Sequence, residues 1–212
     1  MLSDMKEVRS YVKRNSRLTD SHKSHLEDHR GFLYETLPLE RLKSARYVGL
    51  EIGFGTGDSL LDVAKQHPDQ LWVGVEVYEI GIASVIRQAK AQALENIILL
   101  NGDALLLTAS SDQGLFDHVR IFFPDPWPKK KHHKRRLVNP ENLDHFSSII
   151  KPGGVLHFAT DHLGYAEDCQ LYLAEHPAFG EAGYMLERPE TKFARKATEK
   201  GAIITDLIAE RI

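Results

Sequence analysis

From Tyr47 onward, short continuous apolar runs alternate with mixed polar and apolar segments. The runs predict strands at 47–52, 71–77, 97–101, 116–123 and 154–160, and the segments between them predict helices at 58–67, 79–94, 140–150 and 163–176. The strands are apolar at consecutive rather than alternate positions, as expected when helices cover both faces of a sheet. Repeated strand–helix units of this length predict an α/β fold with a doubly wound, mostly parallel sheet. Beyond Gly183, two further runs at 184–188 and 203–210 predict strands that bring the sheet to seven, separated by a polar loop containing Thr191-Lys192-Phe193. Residues 1–42 are polar and basic, with Lys6, Arg9, Lys13, Arg14, Arg17, Lys23 and Arg30 spread through them. They read as a short N-terminal extension of low intrinsic order, leaving 43–212 as the folded domain.

Composition adds limits to this picture. The 212 residues are 42% apolar and 27% charged, with a formal net charge of −3. Such a chain is globular and is not a generally basic nucleic-acid coat. Cys169 is the only cysteine, which excludes an internal disulfide and favours a reducing compartment. No zinc-ligand spacing occurs, so no metal is expected. Neither a secretory leader nor a membrane span is visible, and a soluble, cytoplasmic protein is expected, as a monomer or homodimer.

Against the acidic background, one segment is densely basic. Residues 122–136 read Phe-Phe-Pro-Asp-Pro-Trp-Pro-Lys-Lys-Lys-His-His-Lys-Arg-Arg. Asp125 stands between two prolines that restrict its backbone, directly after a strand. Trp127 offers an aromatic face, and Lys129, Lys131, His132, His133, Lys134, Arg135 and Arg136 belong to the basic tail. A carboxylate on a stiff turn, a ring and a cationic patch suit chemistry on a nucleic-acid base, with the cations on phosphates. A solvated basic loop is the alternative.

The other strand ends are also acidic. The first strand–helix turn reads Glu51-Ile52-Gly53-Phe54-Gly55-Thr56-Gly57. Its glycines permit a sharp bend and close approach of a ligand. Their GxGxG register differs from the GxGxxG of dinucleotide sites, and Glu51 would repel a pyrophosphate there. It suits the cationic amino-acid end of S-adenosylmethionine instead. Glu76 ends the second strand, where an acid commonly binds a ribose diol. Asp103 ends the third and is placed to meet an adenine amine; Asp161 ends the fifth. Ligands of open parallel sheets bind beyond these carboxyl ends.

These blocks resemble the tRNA (guanine-N7-)-methyltransferase family, of the class I S-adenosylmethionine-dependent fold. The resemblance rests on Val8-Arg9-Ser10-Tyr11-Val12, Arg17-Leu18-Thr19, Glu51 to Gly55, Gly74 to Val77, Gly102-Asp103-Ala104, Phe122 to Leu137, Thr160-Asp161 and Thr191-Lys192-Phe193. It implies methylation of N7 of the guanine at position 46 in the tRNA variable loop. It places Glu51, Gly53, Gly55, Glu76, Asp103 and Asp125 at the cofactor, with Asp125 catalytic. It further implies Lys129, Asp161 and Thr191, Lys192, Phe193, Ala194 at the substrate, and Lys131 to Arg136 on the RNA. Ala194 departs from the family's Thr-Lys-Phe-Glu block by lacking its carboxylate. Three other readings stay open here: a methyltransferase of a different substrate class, an NAD-linked oxidoreductase, and an RNA-binding module without activity.

Overall fold

A computed structural model describes residues 10–11, 17–29, 31–108, 114–199 and 201–212. The strands are β1 (Leu33–Tyr34), β2 (Val48–Ile52), β3 (Leu71–Glu76), β4 (Ile97–Asn101), β5 (Phe116–Phe122), β6 (Ile150–Thr160), β7 (Phe179–Glu181) and β8 (Thr205–Arg211). They form one sheet in the order β1-β4-β3-β2-β5-β6-β8-β7. Every pairing from β1 to β6 is parallel; β8 runs antiparallel to both β6 and β7. The helices are α1 (Asp20–Glu27), α2 (Leu39–Ser44), α3 (Asp58–Gln66), α4 (Glu79–Ala91), α5 (Ala104–Thr108), α6 (Pro140–Ile149), α7 (Leu163–Glu175) and α8 (Lys192–Glu199).

Successive residues of a strand point to opposite faces, so a continuous apolar run serves two cores. Trp72, Ile97 and Leu99 pack with Leu60, Val63, Ile82 and Val85 of α3 and α4. Val73, Val75, Ile98 and Leu100 face the other way, into a core shared with Phe146 of α6 and Tyr165 of α7. Each such fully buried side chain is worth about 1.5–3 kcal/mol. Local chemistry sets the helix ends. Asn139 accepts from the Asn142 amide with Pro140 in the first turn of α6, and Thr19 forms a capping box at α1.

The sheet has eight strands rather than the expected seven, and two of them lie where none was expected. Residues 20–29 and 31–42, which fall in the extension expected to be loosely ordered, pack against the folded domain. Leu33 and Tyr34 pair with Leu99 and Leu100, and α1 rests on α4, with Lys90 Nζ 2.6 Å from a carboxylate oxygen of Asp28. Lys6, Arg9, Lys13, Arg14 and Arg30 lie outside the described residues. The strand expected at 184–188 does not form. Both edges of β8 are already occupied, by β6 and β7, and Pro189 ends the apolar run. Residues 184–188 instead cross one face of β5, β6 and β8. Tyr184 and Leu186 lie beside His118 and Val155, and Arg188 reaches Asp206. Thr191-Lys192-Phe193, expected in a loop, opens α8, where the Thr191 hydroxyl accepts from the Ala194 amide at 3.1 Å.

Candidate active site

The carboxyl ends of β2, β3, β4 and β5 surround a cavity of about 190 Å³ lined by Glu51, Glu76, Asp103 and Asp125. Thr191 and Phe193 close it from α8, and Ser10 and Tyr11 from the N-terminal side. The glycine-rich turn forms its floor. Gly53, Gly55 and Gly57 all have positive φ (75°, 56° and 84°), which side chains adopt only with strain. A Cβ on Gly81 would run into the Gly55 carbonyl, so α4 starts hard against this turn.

Glu76 ties the turn to its own strand. One carboxylate oxygen accepts from the Gly55 amide at 2.8 Å; the other accepts from the amides of Val77 at 2.7 Å and Tyr78 at 3.0 Å. Each oxygen has about two acceptor positions, so the carboxylate keeps capacity for one further donor. Asp103 accepts from the Leu105 amide at 3.0 Å and opens α5.

Glu51 is 3% exposed and accepts from the Ser59 hydroxyl at 2.9 Å. Burial pushes its carboxyl up to about 7, against the opposing pull of the Arg120 charge and the Ser59 hydrogen bond. Arg120 is its register partner on β5 and stacks on Trp72, its guanidinium carbon 4.2 Å from the ring centre. The pocket therefore holds a carboxyl that a cation would readily ionise.

The turn after β5 is fixed from several sides. Phe123 and Trp127, at φ 52° and 43°, carry backbone strain of about 1–3 kcal/mol each, and their surroundings must hold them there. The Phe123 amide donates to Ala159 at 2.8 Å, and the Trp127 indole donates to the Ser10 carbonyl at 3.1 Å. Arg136 lies beneath the turn. Its Nε donates to the Pro126 carbonyl at 2.8 Å, its Nη1 pairs with Asp168, and its guanidinium sits 4.6 Å from the Tyr165 ring centre.

That position corrects the sequence reading of Arg136. It is 2% exposed and braces the turn from inside, so it cannot reach an external phosphate. The rest of the run differs. Lys129, Lys131 and Lys134 are exposed on a 3-10 helix (Lys130–Arg135) or at its start. His132 meets the Trp127 ring edge-on at 5.8 Å, Arg135 stacks 4.0 Å from that ring's centre, and His133 Nδ1 is 3.6 Å from Asp168.

Among the residues expected at the substrate, only Thr191 and Phe193 line the cavity. Asp161 is exposed just past β6 and is not part of its wall, and Lys129 stands outside it. Ala194 is buried at 5% exposure, and the Lys192 side chain lies outside what the structure describes. Tyr11, Ser59, Tyr78 and Phe123 line the cavity without having been expected there. Tyr78 and Phe123 each stand one or two residues from a strand-end acid, and that adjacency was the available signal.

Known proteins share both the sequence and the fold. A family model described as "Putative methyltransferase" matches residues 45–207. The tRNA (guanine-N(7)-)-methyltransferase of Nitrosococcus oceani is 40% identical over 96% of this chain and 91% of its own length. The enzyme of the same name from Francisella philomiragia is 34% identical over 99% and 97%. Among solved structures, the 16S rRNA methyltransferase KamB superposes with a TM-score of 0.59 at 18% identity, covering 96% of this chain and 98% of that one. An A1408 ribosomal methyltransferase from an uncultured bacterium gives the same TM-score at 13% identity, covering 95% and 98%. At such identities these two structures speak for the class I methyltransferase fold alone.

Proposed function

The chain belongs to the tRNA (guanine-N(7)-)-methyltransferase family, and from that premise we propose that it transfers a methyl group from S-adenosylmethionine to N7 of guanine 46 in the tRNA variable loop. The observation that carries the reading is the meeting of two features in one cavity: a glycine turn held by Glu76, and the proline-bracketed Asp125.

The residues present fit the cofactor. Glu51 suits its ammonium group, Glu76 has acceptor capacity for a ribose hydroxyl, and Asp103 suits an adenine amine. Bound S-adenosylmethionine supplies an electrophilic methyl on a sulfonium sulfur. Guanine N7 carries a free lone pair at neutral pH, so no side chain has to remove a proton from it. Asp125 accepts hydrogen bonds from guanine donor groups and offsets the positive charge that develops on the base. Its strained, braced turn keeps that charge in place without reorganisation. Thr191 and Phe193 face the same space from α8, where the ring is a surface for stacking against an extruded base. Asp161, Lys192 and Ala194 belong to the outer substrate wall in this reading.

The exposed Lys129, Lys131 and Lys134 carry the tRNA backbone, together with Arg135, His132 and His133 around Trp127. Lys129 is four residues from Asp125 and serves both the backbone and the rate. Among the described residues no helix is long and apolar enough to cross a membrane, and we place the enzyme in the cytoplasm with its tRNA. The test is transfer of labelled methyl from S-adenosylmethionine to unmodified tRNA, with mapping of the modified base and a tRNA lacking guanine at position 46 as control. Label at another base, or in the control, rejects the assignment.

A further inference from the structure

Where β5, β6 and β8 lie side by side, one face of the sheet carries the polar side chains of His118, His157 and Asp206, and residues 184–188 run past it. His157 of β6 is fully buried and stacks on His118, with ring centres 5.9 Å apart and planes within 8°. Its Nε2 lies 2.9 Å from Asp206 Oδ1 and donates to that carboxylate, while its Nδ1 is buried with no hydrogen-bond partner among the described residues. The same Oδ1 accepts from Arg188 Nε at 3.0 Å. The Arg188 guanidinium carbon lies 5.1 Å from the centre of the Phe123 ring, two residues before Asp125. Arg188 is three residues before Thr191, a span of at most about 10 Å, so fixing one confines the other.

From this chain of contacts we propose that Asp206 is a positioning residue: through Arg188 it holds the Thr191–Phe193 segment and the Asp125 turn in one fixed relation. Neither Asp206 nor Arg188 lines the cavity. The two walls facing the substrate come from segments far apart in the chain, after β5 and before α8. Arg188 touches both the carboxylate on β8 and the ring at the base of the Asp125 turn. Burial works to raise the Asp206 carboxyl, but the His157 hydrogen bond and the Arg188 charge together hold it below its usual range. The carboxylate is therefore present to anchor the guanidinium at neutral pH. The lock works by alignment, because small misplacements of reacting groups cost large factors in rate.

The inference rests on the reading of Thr191 and Phe193 as substrate-facing, and the experiment separates the two. Asp206→Ala and Arg188→Ala, singly and together, are compared with wild type for methyl transfer to tRNA, S-adenosylhomocysteine affinity and thermal melting. Hydrogen–deuterium exchange follows residues 188–195. The expected result is a loss of roughly 10–100-fold in kcat/KM for tRNA. S-adenosylhomocysteine affinity should stay within about threefold of wild type, with faster exchange confined to 188–195. The double variant should lose no more than the worse single one, since both break one lock. Asp206→Asn keeps the acceptor without the charge and should recover part of the rate. Wild-type kcat/KM in Asp206→Ala overturns the proposal. So does a parallel loss of melting temperature, cofactor affinity and exchange protection throughout the sheet, which marks a fold role only. If wild type itself puts no methyl on guanine N7 of tRNA, the underlying reading fails instead.

Discussion

In the proposed site, binding of S-adenosylmethionine should release a proton, and Glu51 is the group expected to give it up. In the free protein burial holds this carboxyl at about 7 against its ordinary 4.5, which disfavours the carboxylate by about 3 kcal/mol. A raised carboxyl pKa favours the protonated folded state. The contribution to stability is thus complete below about pH 4.5 and lost as pH rises through about 7. Cofactor binding runs the other way. The ammonium group of the ligand requires the carboxylate, so affinity should rise about tenfold per pH unit up to about 7 and then level off. At pH 6.5 roughly three quarters of a proton should leave per ligand bound, readable by calorimetry in two buffers of different ionisation enthalpy. Glu51→Gln keeps the shape and the Ser59 contact but cannot ionise, so its affinity should be weaker at pH 7.5 and independent of pH between 5.5 and 7. A flat profile in wild type, or the same slope in the glutamine variant, would show that Glu51 does not face the cation.

Three further outcomes are expected. Asp125→Ala should lower the single-turnover methylation rate by ~10²–10³, the usual cost of one preorganised electrostatic contact; quench-flow with saturating tRNA and cofactor measures it, and a near wild-type rate removes Asp125 from the chemistry. Neutralising Lys131, Lys134 and Arg135 together should weaken tRNA binding and flatten its log–log salt dependence by ~0.7–0.9 for each phosphate no longer neutralised; an unchanged slope in filter binding makes the run a solvated loop. Arg136→Met should leave that slope alone but destabilise the fold by about 2–3 kcal/mol, since it removes a buried hydrogen-bonded charge from the Pro126 carbonyl and leaves a partly exposed Asp168; chemical denaturation reads the loss, and full stability would contradict the brace.

The sheet was legible where burial on both faces left its mark. β3 and β4 appear as nearly continuous apolar runs because Val73 and Trp72, or Ile98 and Ile97, enter different cores. The acids at their ends were legible for the same reason, since a strand that is known also locates the point where it leaves the sheet. β1 and β7 have two and three residues, too few for any periodicity, and exist through pairing with distant segments. Arg136 shows a different limit. Seven neighbours of similar chemistry precede it, yet it alone turns inward, because Asp168 and Tyr165 on α7 and the Pro126 carbonyl wait there. No local pattern carries that information. At 184–188 the apolar residues suggested pairing, but β8 had no edge to offer.

The place of β8 in the sheet has a consequence for how the molecule comes to life. The strand lies between β6 and β7, so during synthesis β7 waits unpaired, and β6 keeps an open edge, until residues 205–211 have emerged. By then the glycine turn, Glu76 and Asp125 have long been made. Asp206 arrives after all of them. A nascent chain short of it has the acids that line the cavity without the carboxylate that holds Arg188, and the proposed anchor forms only as β8 zips into the gap between β6 and β7.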